Sequence, residues 1–214
     1  MDDSSRKFRD RLRIVLILHT FCDRDGANGN FGVFRTEMKI QALDFLLRYP
    51  DFLCMELLDL LDNDPAIDRN TVQKTVEEIY GNHEPIIRVE EMEKFFHGAY
   101  ESIDDVIAFL ISVGFIRHES KRRIDGRTYD KTYYVTHECA DKLENGLKLI
   151  PSVKWYVERC ELMKLYFNRF SGSELKQRQY RYSEYKDISY KSHIQNVNNK
   201  VKAAFTERFH KELI

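Results

Sequence analysis

The sequence predicts a mostly helical α+β fold, in which a winged helix-turn-helix core is preceded by an N-terminal helix and followed by a helical C-terminal extension. Apolar residues recur at helical spacing along most of the 214 residues, and 9 Gly and 4 Pro leave few sites for tight turns. Residues 115–136 change to an extended pattern on both sides of Asp125-Gly126, which indicates a β-hairpin. We expect a helical, winged-helix domain over residues 1–150 and a helical extension packed on it over residues 151–214.

Four helices are predicted in the first part of the chain, with a polar loop rich in Gly and Asn after the first of them. They cover residues 5–21, 36–48, 51–62 and 70–81. Thr36 and Asp51 are placed to cap the second and third helices. Asn70 with Gln73 forms a capping-box pattern at the start of the fourth.

The predicted hairpin lies between two further helices. Residues 85–89 are β-prone, and Ser102 then caps a helix that Gly114 ends as a C′ glycine. After the hairpin, Thr136 caps a short helix that ends near Gly146. This succession of helix, charged hairpin and helix is typical of a winged helix-turn-helix.

Composition excludes several classes of protein. The longest strongly apolar stretch has 11 residues, at 106–116, whereas a membrane-spanning helix needs about 20. The chain opens with acidic residues, and residues 14–18 form an apolar segment too short for a signal peptide. We therefore expect a cytoplasmic protein whose 4 cysteines stay reduced.

The net charge of −1 hides a marked asymmetry along the chain. Residues 151–214 contain 13 Lys and Arg against 7 Asp and Glu, and the preceding residues are acidic to a similar extent. One interpretation is that the protein has two faces with different partners. The other is that each part is simply well solvated.

No residue pattern points convincingly to catalysis or to metal binding. Asp51, Glu119 and Lys121 could be combined into a nuclease-like set that holds a magnesium ion, but Asp51 is better explained as a helix cap. The His–Cys pairs at 19–22 and 137–139 lack the paired spacings of a structural zinc site. We expect a protein that is not an enzyme and that uses neither a metal nor a cofactor.

The predicted hairpin is the candidate for contact with DNA, because exposed basic side chains release condensed counterions when they bind phosphates. Residues 117–132 contain six basic residues against three acidic ones. The alternative is that these charges protect an exposed strand edge from aggregation. The candidate DNA-binding residues are Arg117, Lys121, Arg122, Arg123, Arg127 and Lys131.

Apolar and aromatic residues of the C-terminal extension are the candidates for a protein interface. The helix that begins near Ser152 is apolar on two sides, so it must be covered from two directions, either by the last helix of the chain or by another subunit. Tyrosines interleave with basic residues at 177–186, a composition suited to a partner surface. The candidate interface residues are Trp155, Leu162, Tyr180, Tyr182 and Tyr185.

Three strings taken in order resemble a known family. They are KIQALDFLLRYPDFL at 39–53, MEKFFHGAYESIDDVIAFLISVGFIR at 92–117 and ERCELMKLYFNRFSGSELKQRQYRYSEY at 158–185. Together they resemble the small middle component of ABC three-component systems. In these bacterial operons, which include Lamassu-type anti-phage and anti-plasmid defence, an SMC-like ABC ATPase is paired with an effector.

The resemblance implies a non-catalytic subunit of winged-helix type. Such a subunit would bind an SMC-like ATPase and link it to an effector, often a nuclease, that acts when foreign DNA is sensed. Contact with DNA would be made through the complex, without any membrane or small-molecule substrate.

The alternative function is that of a free-standing winged-helix transcription regulator, with residues 70–80 as its recognition helix. That segment has one Lys and two Glu, whereas a helix that reads the major groove normally presents Arg, Lys, Asn or Gln. The sequence therefore favours the assembly subunit.

Overall fold

The computed structural model describes residues 3–25, 29–95, 98–99, 101–122 and 128–214. The helices are α1 Asp3–Phe21, α2 Glu37–Arg48, α3 Pro50–Asn63, α4 Arg69–Gly81, α5 Glu84–Ile87, α6 Asp104–Ser112, α7 His137–Glu144, α8 Pro151–Phe167, α9 Gly172–Gln179, α10 Ser183–Lys186 and α11 Asn198–Phe209. The strands are β1 Asp23–Arg24, β2 Gly32–Arg35, β3 Lys94–Phe95, β4 Gly98–Ala99, β5 Ile116–Arg122 and β6 Thr128–Val135, and a 3-10 turn covers Leu147–Leu149. The predicted α+β class, mostly helical with a small antiparallel sheet, is confirmed.

The chain forms two compact units, and each is built from two separate stretches of sequence. The first unit comprises Met1–Asp44 and Ser102–Arg178, and the second comprises Phe45–Glu101 and Gln179–Ile214. These boundaries differ from the single boundary after residue 150 that the sequence suggests. The difference has a physical cause, because α8 packs against α1 in the first unit whereas α11 packs against α3 in the second.

The core of the first unit is centred on α1. Residues 14–18 of this helix are at most 4% exposed, because α6, α8, β2 and β6 cover it from several directions. The buried α8 residues of the same unit include a stripe that recurs every three or four positions, namely Val153, Tyr156, Cys160, Met163 and Phe167. Full burial of one such aliphatic or aromatic side chain contributes about 1.5–3 kcal/mol, so this stripe stabilises the position of α8.

A buried ionic contact fixes α1 against α2 within the first unit. Arg13 is 2% exposed and donates from Nε to Oδ1 of Asp44 over 2.7 Å. Its Nη2 donates to Oδ1 of Asp10 over 2.6 Å. A buried guanidinium is tolerated here because two carboxylates accept its hydrogen bonds.

The sheet of the first unit has four antiparallel strands in the order β1-β2-β6-β5. Phe34, Tyr133 and His118 stand opposite one another across β2, β6 and β5, as do Val33, Tyr134 and Arg117 on the other face. Phe34 and Tyr133 are at most 2% exposed, whereas Arg117 is exposed. One face of the sheet therefore packs on the core and the other carries the polar side chains.

Two of the predicted helix ends around the hairpin are confirmed, whereas the N-cap of α6 is Ile103 and not the predicted Ser102. Gly114 has φ +75°, and the N–H groups of Gly114 and Phe115 donate to the carbonyls of Ile111 and Leu110, which is the pattern of a Schellman motif. Thr136 caps α7 by accepting a hydrogen bond from the N–H of Cys139. The predicted turn at Asp125-Gly126 lies outside the described residues.

The sequence predicted a loop where β1 and β2 form. Gly32 lies against Cys22, since a Cβ at Gly32 would come 2.4 Å from the Cys22 Sγ. Its partner in β6 is Val135, more than a hundred residues along the chain. A short strand that depends on a glycine and on a distant partner leaves little local pattern.

The second unit is organised around α3, which packs against α4, α5 and α11. Aromatic rings gather beside it, with the ring centroid of Phe45 lying 4.8 Å from Tyr49, 4.9 Å from Phe52 and 5.1 Å from Tyr185. Aromatic pairs of this kind contribute about 0.5–1.5 kcal/mol each beyond the burial of their area. The C-terminal segment of the chain therefore completes the core of this unit.

Two sequence predictions about helix starts in the second unit, and one about a β-prone segment, are wrong. The N-cap of α3 is Tyr49, because Pro50 suits the first helical position and extends the helix backwards past Asp51. The N-cap of α4 is Asp68, whose side chain accepts from the N–H of Thr71, and not Asn70. The β-prone residues 85–89 lie largely in the short helix α5.

Candidate functional site

The basic residues of the β5–β6 hairpin do not form one uniform surface. Arg117 lies on the polar face of the sheet and donates a hydrogen bond to Oδ1 of Asn30. On the same face the hydroxyl of Tyr134 donates to Oε2 of Glu119 over 3.0 Å. Acidic and basic side chains alternate here, so this part of the face has little net charge to attract phosphates.

Lys131 is placed on the opposite face of the hairpin from Arg117. Its ammonium pairs with Glu37 and lies 3.7 Å from Oδ1 of Asp104. The hydroxyl of Tyr133 also donates to the Glu37 carboxylate, over 3.2 Å. The structure thus gives Lys131 a role in holding β6 against α2, and the proposed contact of Lys131 with DNA is unfavourable because it would break this ion pair.

The DNA-binding prediction now depends mainly on the end of the hairpin. Lys121 is exposed and follows an irregularity in the pairing between Glu119 and Lys121. The backbone of Arg122 is described, but its side chain, together with Arg123 and Arg127, lies outside the described residues. Lys121, Arg122, Arg123 and Arg127 stay candidates for phosphate contact.

One of the predicted interface tyrosines, Tyr185, lies in the core of the second unit, and Tyr182 near it is half-buried. Tyr185 is 2% exposed and packs against Phe45 and Tyr180, with centroids 5.1 and 5.4 Å away. Tyr182 donates its hydroxyl hydrogen to the buried Glu56 over 2.7 Å. Tyr180 is half-buried beside Tyr185. These side chains make contacts within their own unit, and the contact of the half-buried Tyr180 and Tyr182 with a partner stays a prediction.

Trp155 and Leu162 lie on α8 in the first unit, and both are half-buried. The indole of Trp155 meets the ring of Tyr156 edge-on at 4.9 Å, and the Arg159 guanidinium lies 5.7 Å from the Trp155 ring. Part of the second apolar side of α8 is therefore covered within the chain. The contact of Trp155 and Leu162 with another subunit stays a prediction.

Several exposed apolar residues were not singled out from the sequence. In the first unit, Leu165 on α8 is 80% exposed, and Ile111 near the end of α6 is 42% exposed. In the second unit, Ile86 and Ile87 on α5 are 76% and 64% exposed. The helical position of Leu165, opposite the buried stripe of α8, is the signal that could have identified it.

The charge asymmetry of the chain is partly neutralised inside the second unit. Arg181 pairs with Asp59 over 2.9 Å, and Arg208 pairs with Asp62, so two bases of the C-terminal segment contact α3. In the same way Lys211 reaches a carboxylate of α4 over 2.9 Å. Basic residues of the C-terminal segment therefore form ion pairs with acidic residues from the earlier part of the chain at these positions. Neither interpretation of the charge pattern included this arrangement.

The surroundings of Asp51 and Glu119 do not support the nuclease-like set that the sequence could suggest. Asp51 is fully buried and accepts a hydrogen bond of 2.7 Å from the N–H of Val197, and burial raises the pKa of its carboxyl group. Glu119 accepts from Tyr134 on the sheet of the first unit. Asp51 thus has a structural partner inside the second unit.

The histidines of the two His–Cys pairs lie beside one aromatic ring in the first unit. His19 stacks on Phe31 with centroids 4.9 Å apart, and His137 meets the edge of the same ring at 6.2 Å. Burial lowers the pKa of His19 to about 4, which keeps the imidazole neutral at physiological pH. Within the described part of the chain, no three His, Cys, Asp or Glu side chains are grouped so that they could hold a metal ion.

Comparisons with known proteins identify no relative. No protein-family model, curated protein or solved structure matches this chain. Across the described ranges, none of the helices combines the length and the apolar composition needed to cross a bilayer.

Proposed function

We propose that this chain is a non-catalytic assembly subunit of an SMC-like ATPase complex in bacterial anti-phage or anti-plasmid defence. In this role it links the ATPase to an effector subunit such as a nuclease, in the cytoplasm. The proposal starts from the three sequence strings that resemble the small middle component of these systems. Two features of the first unit support it.

The first feature is the connectivity around the sheet. In a winged helix, a short strand after the first helix pairs with the second strand of a hairpin that follows the third helix. The order α1, β2, α2, α6, β5 and β6, with β2 paired to β6, agrees with this arrangement. We therefore propose that the first unit is of winged-helix type, with residues 49–101 inserted between its second and third helices.

The second feature is the chemistry of α6, which occupies the place of the recognition helix in this comparison. It begins with Asp104 and Asp105, and exposed residues at its other end include Ile111 and the C-cap Val113, at 42% and 39% exposure. Carboxylates oppose approach to phosphates, and isoleucine and valine offer no hydrogen bonds to base edges. This surface fits a protein partner better than a DNA groove.

The composition of α6 also disfavours the free-standing transcription regulator. Residues 70–80, the recognition helix considered from the sequence, lie in the second unit, whereas the hairpin lies in the first. The composition of α6 is therefore the single observation that carries the choice between an assembly subunit and a DNA-reading regulator.

Co-expression tests the proposal. The tagged chain is expressed with an SMC-like ATPase of these three-component systems, and the ATPase that co-purifies is quantified. We expect wild type to retain the ATPase and Ile111→Glu to lose most of it. Ile86→Glu, which changes an exposed isoleucine of the second unit, is the matched control. Failure of the wild-type chain to retain any ATPase would overturn the proposed function, and equal retention by Ile111→Glu would remove α6 from the interface.

A further inference from the structure

The imidazole of His19 is a deeply buried polar group of the first unit. Its side chain is 4% exposed, and neither ring nitrogen has a hydrogen-bond partner among the described residues. A neutral imidazole carries one N–H donor, and a buried donor without an acceptor destabilises the folded protein. A ligand that accepts this hydrogen bond would therefore be favoured at this position.

Glu144 and Lys148 lie beside Nε2 of this imidazole. Oε1 of Glu144 is 3.4 Å from Nε2 of His19, and the Lys148 ammonium donates to the same Oε1 over 2.8 Å. The hydrogen bond from Lys148 lowers the pKa of Glu144, so this carboxylate is an anion at neutral pH. The position between the imidazole and the ammonium is thus already occupied by an anion, which belongs to the protein itself.

Three positive charges act on the His19 imidazole, and they come from Lys148, Arg24 and Lys164. Burial, followed by these charges, lowers the pKa of His19 to about 4, whereas the negative charge of Glu144 acts in the opposite direction. The ring is therefore a neutral donor in a positive environment. Such an environment attracts an anion and repels a metal ion.

The ring of Phe31 positions two of these groups. It stacks on the imidazole of His19 with centroids 4.9 Å apart, and the Arg24 guanidinium lies 3.7 Å from the centroid of the same ring. Contact with an aromatic face leaves the N–H donors of a guanidinium available for an anion. Arg24 is exposed, so a ligand can reach it from solvent.

The carboxylate of Glu144 can make way for a ligand. Its side chain is 51% exposed, so it can turn towards solvent without being transferred into a less polar environment. Its partner Lys148 is four residues further along the chain, and pairs of this kind contribute little to stability. Once the carboxylate has moved, the Lys148 ammonium and Nε2 of His19 are both available to a bound anion.

We propose that this cluster of the first unit binds a phosphate group, which replaces the Glu144 carboxylate against His19 and Lys148. A phosphate group carries a charge of about −1.5 to −2 at pH 7 and three acceptor oxygens, which suits several cations and one N–H donor. Arg24 and Lys164 add positive charge from β1 and α8. The inference goes beyond the proposed function, because it assigns a ligand to the chain alone. Free phosphate and a small phosphate ester are the two sources of this group.

Nuclear magnetic resonance of the full chain, labelled in its histidine rings, tests the site with inorganic phosphate at constant ionic strength. The His19 signal is assigned by its loss in His19→Gln. We expect this signal to shift saturably with phosphate in wild type. Lys148→Met should raise the dissociation constant by about tenfold or more, because it removes a charge-assisted hydrogen bond. Glu144→Gln should lower the dissociation constant several-fold, because a charged carboxylate no longer competes with phosphate.

Lys142→Met and Glu138→Gln are the matched controls, because they make the same changes of net charge at exposed positions of α7. Both should leave the dissociation constant close to the wild-type value. Circular dichroism melting of each variant establishes that the chain is folded. A His19 signal that does not respond to phosphate, or equal dissociation constants for Glu144→Gln and Glu138→Gln, would overturn the proposal.

A second titration with adenosine 5′-monophosphate distinguishes the two sources of the phosphate group. If the nucleotide shifts the His19 signal at least as strongly as inorganic phosphate does, the ligand is a small phosphate ester. If only inorganic phosphate shifts it, the ligand is free phosphate. Adenosine without phosphate should leave the signal unchanged, and a shift with adenosine alone would contradict recognition through the phosphate group.

Discussion

The hydroxyl of Tyr182 donates a hydrogen bond of 2.7 Å to Oε1 of Glu56, a residue that is 2% exposed. The ring of Tyr182 also meets Phe52 edge-on, with centroids 5.3 Å apart. Next to it, Arg181 pairs with Asp59 one turn further along α3. A buried polar contact, an aromatic contact and an ion pair together attach the C-terminal segment to α3 in the second unit.

Tyr182→Phe should destabilise the protein by about 1–2 kcal/mol, because it leaves the buried Glu56 oxygen without this donor. The aromatic contact with Phe52 is retained, so the loss reports on the hydrogen bond. Chemical denaturation measures the difference in free energy of unfolding. Tyr190→Phe changes a 46% exposed tyrosine and should have little effect. Equal stability of the two variants would show that the Tyr182 hydroxyl contributes nothing.

Asp51 should give the protein an unusual pH dependence of stability. Burial raises the pKa of this carboxyl group in the folded state above its value in the unfolded chain. In the interval from about pH 4 up to the folded pKa, the folded state therefore binds more protons than the unfolded state. The contribution of Asp51 to stability consequently falls as pH rises through that interval.

Denaturation of wild type and Asp51→Asn at a series of pH values measures this contribution. The stability of wild type relative to Asp51→Asn should decrease as pH rises from about 4, because asparagine does not titrate. Asp51→Ala, which removes the acceptor for the N–H of Val197, should cost about 1–3 kcal/mol. A stability difference between wild type and Asp51→Asn that is constant with pH would contradict the raised pKa.

Gly32→Ala should destabilise the first unit by about 1–3 kcal/mol, since the new methyl group forces a close contact. Its Cβ would lie 2.4 Å from the Cys22 Sγ and 2.9 Å from the Asp23 carbonyl oxygen. Gly81→Ala is the control, because nothing lies within 4 Å of its Cβ position at the end of α4. Thermal melting compares the two variants, and a loss no larger for Gly32→Ala than for Gly81→Ala would refute the close packing.

Lys121→Glu, together with Arg122→Glu and Arg123→Glu, should weaken DNA binding by the assembled complex and reduce its salt dependence. Each lost phosphate contact removes about one released counterion. Fluorescence anisotropy at several salt concentrations gives both quantities. Lys142→Glu changes an exposed lysine of α7 and serves as the control. Unchanged affinity and slope would assign these hairpin charges to a role other than phosphate binding.

Short-range sequence patterns predicted the structural features that depend on residues close together in the chain. Gly114 and Thr136 were identified as helix ends because a left-handed turn requires glycine and a free N–H requires a cap. The buried stripe of α8 was visible in its periodicity. Asp51 was misassigned because its acceptor role depends on the N–H of Val197, which lies 146 residues away.

The candidate surfaces were harder to predict than the fold class. Tyr182 and Tyr185 occur among basic residues, as interface tyrosines do, yet their partners Glu56 and Phe45 are on distant helices of the same unit. Lys131 was grouped with the other hairpin bases because its ion pair with Glu37 depends on the pairing of β2 with β6. Tertiary contacts of this kind decide which polar residues remain accessible.

The most direct test of the proposed assembly role is native mass spectrometry of the purified ATPase and effector, with and without this chain. We expect a complex containing both proteins when the chain is present, and separate ATPase and effector when it is absent. An ATPase–effector complex that forms equally well without the chain would contradict the proposed linking role.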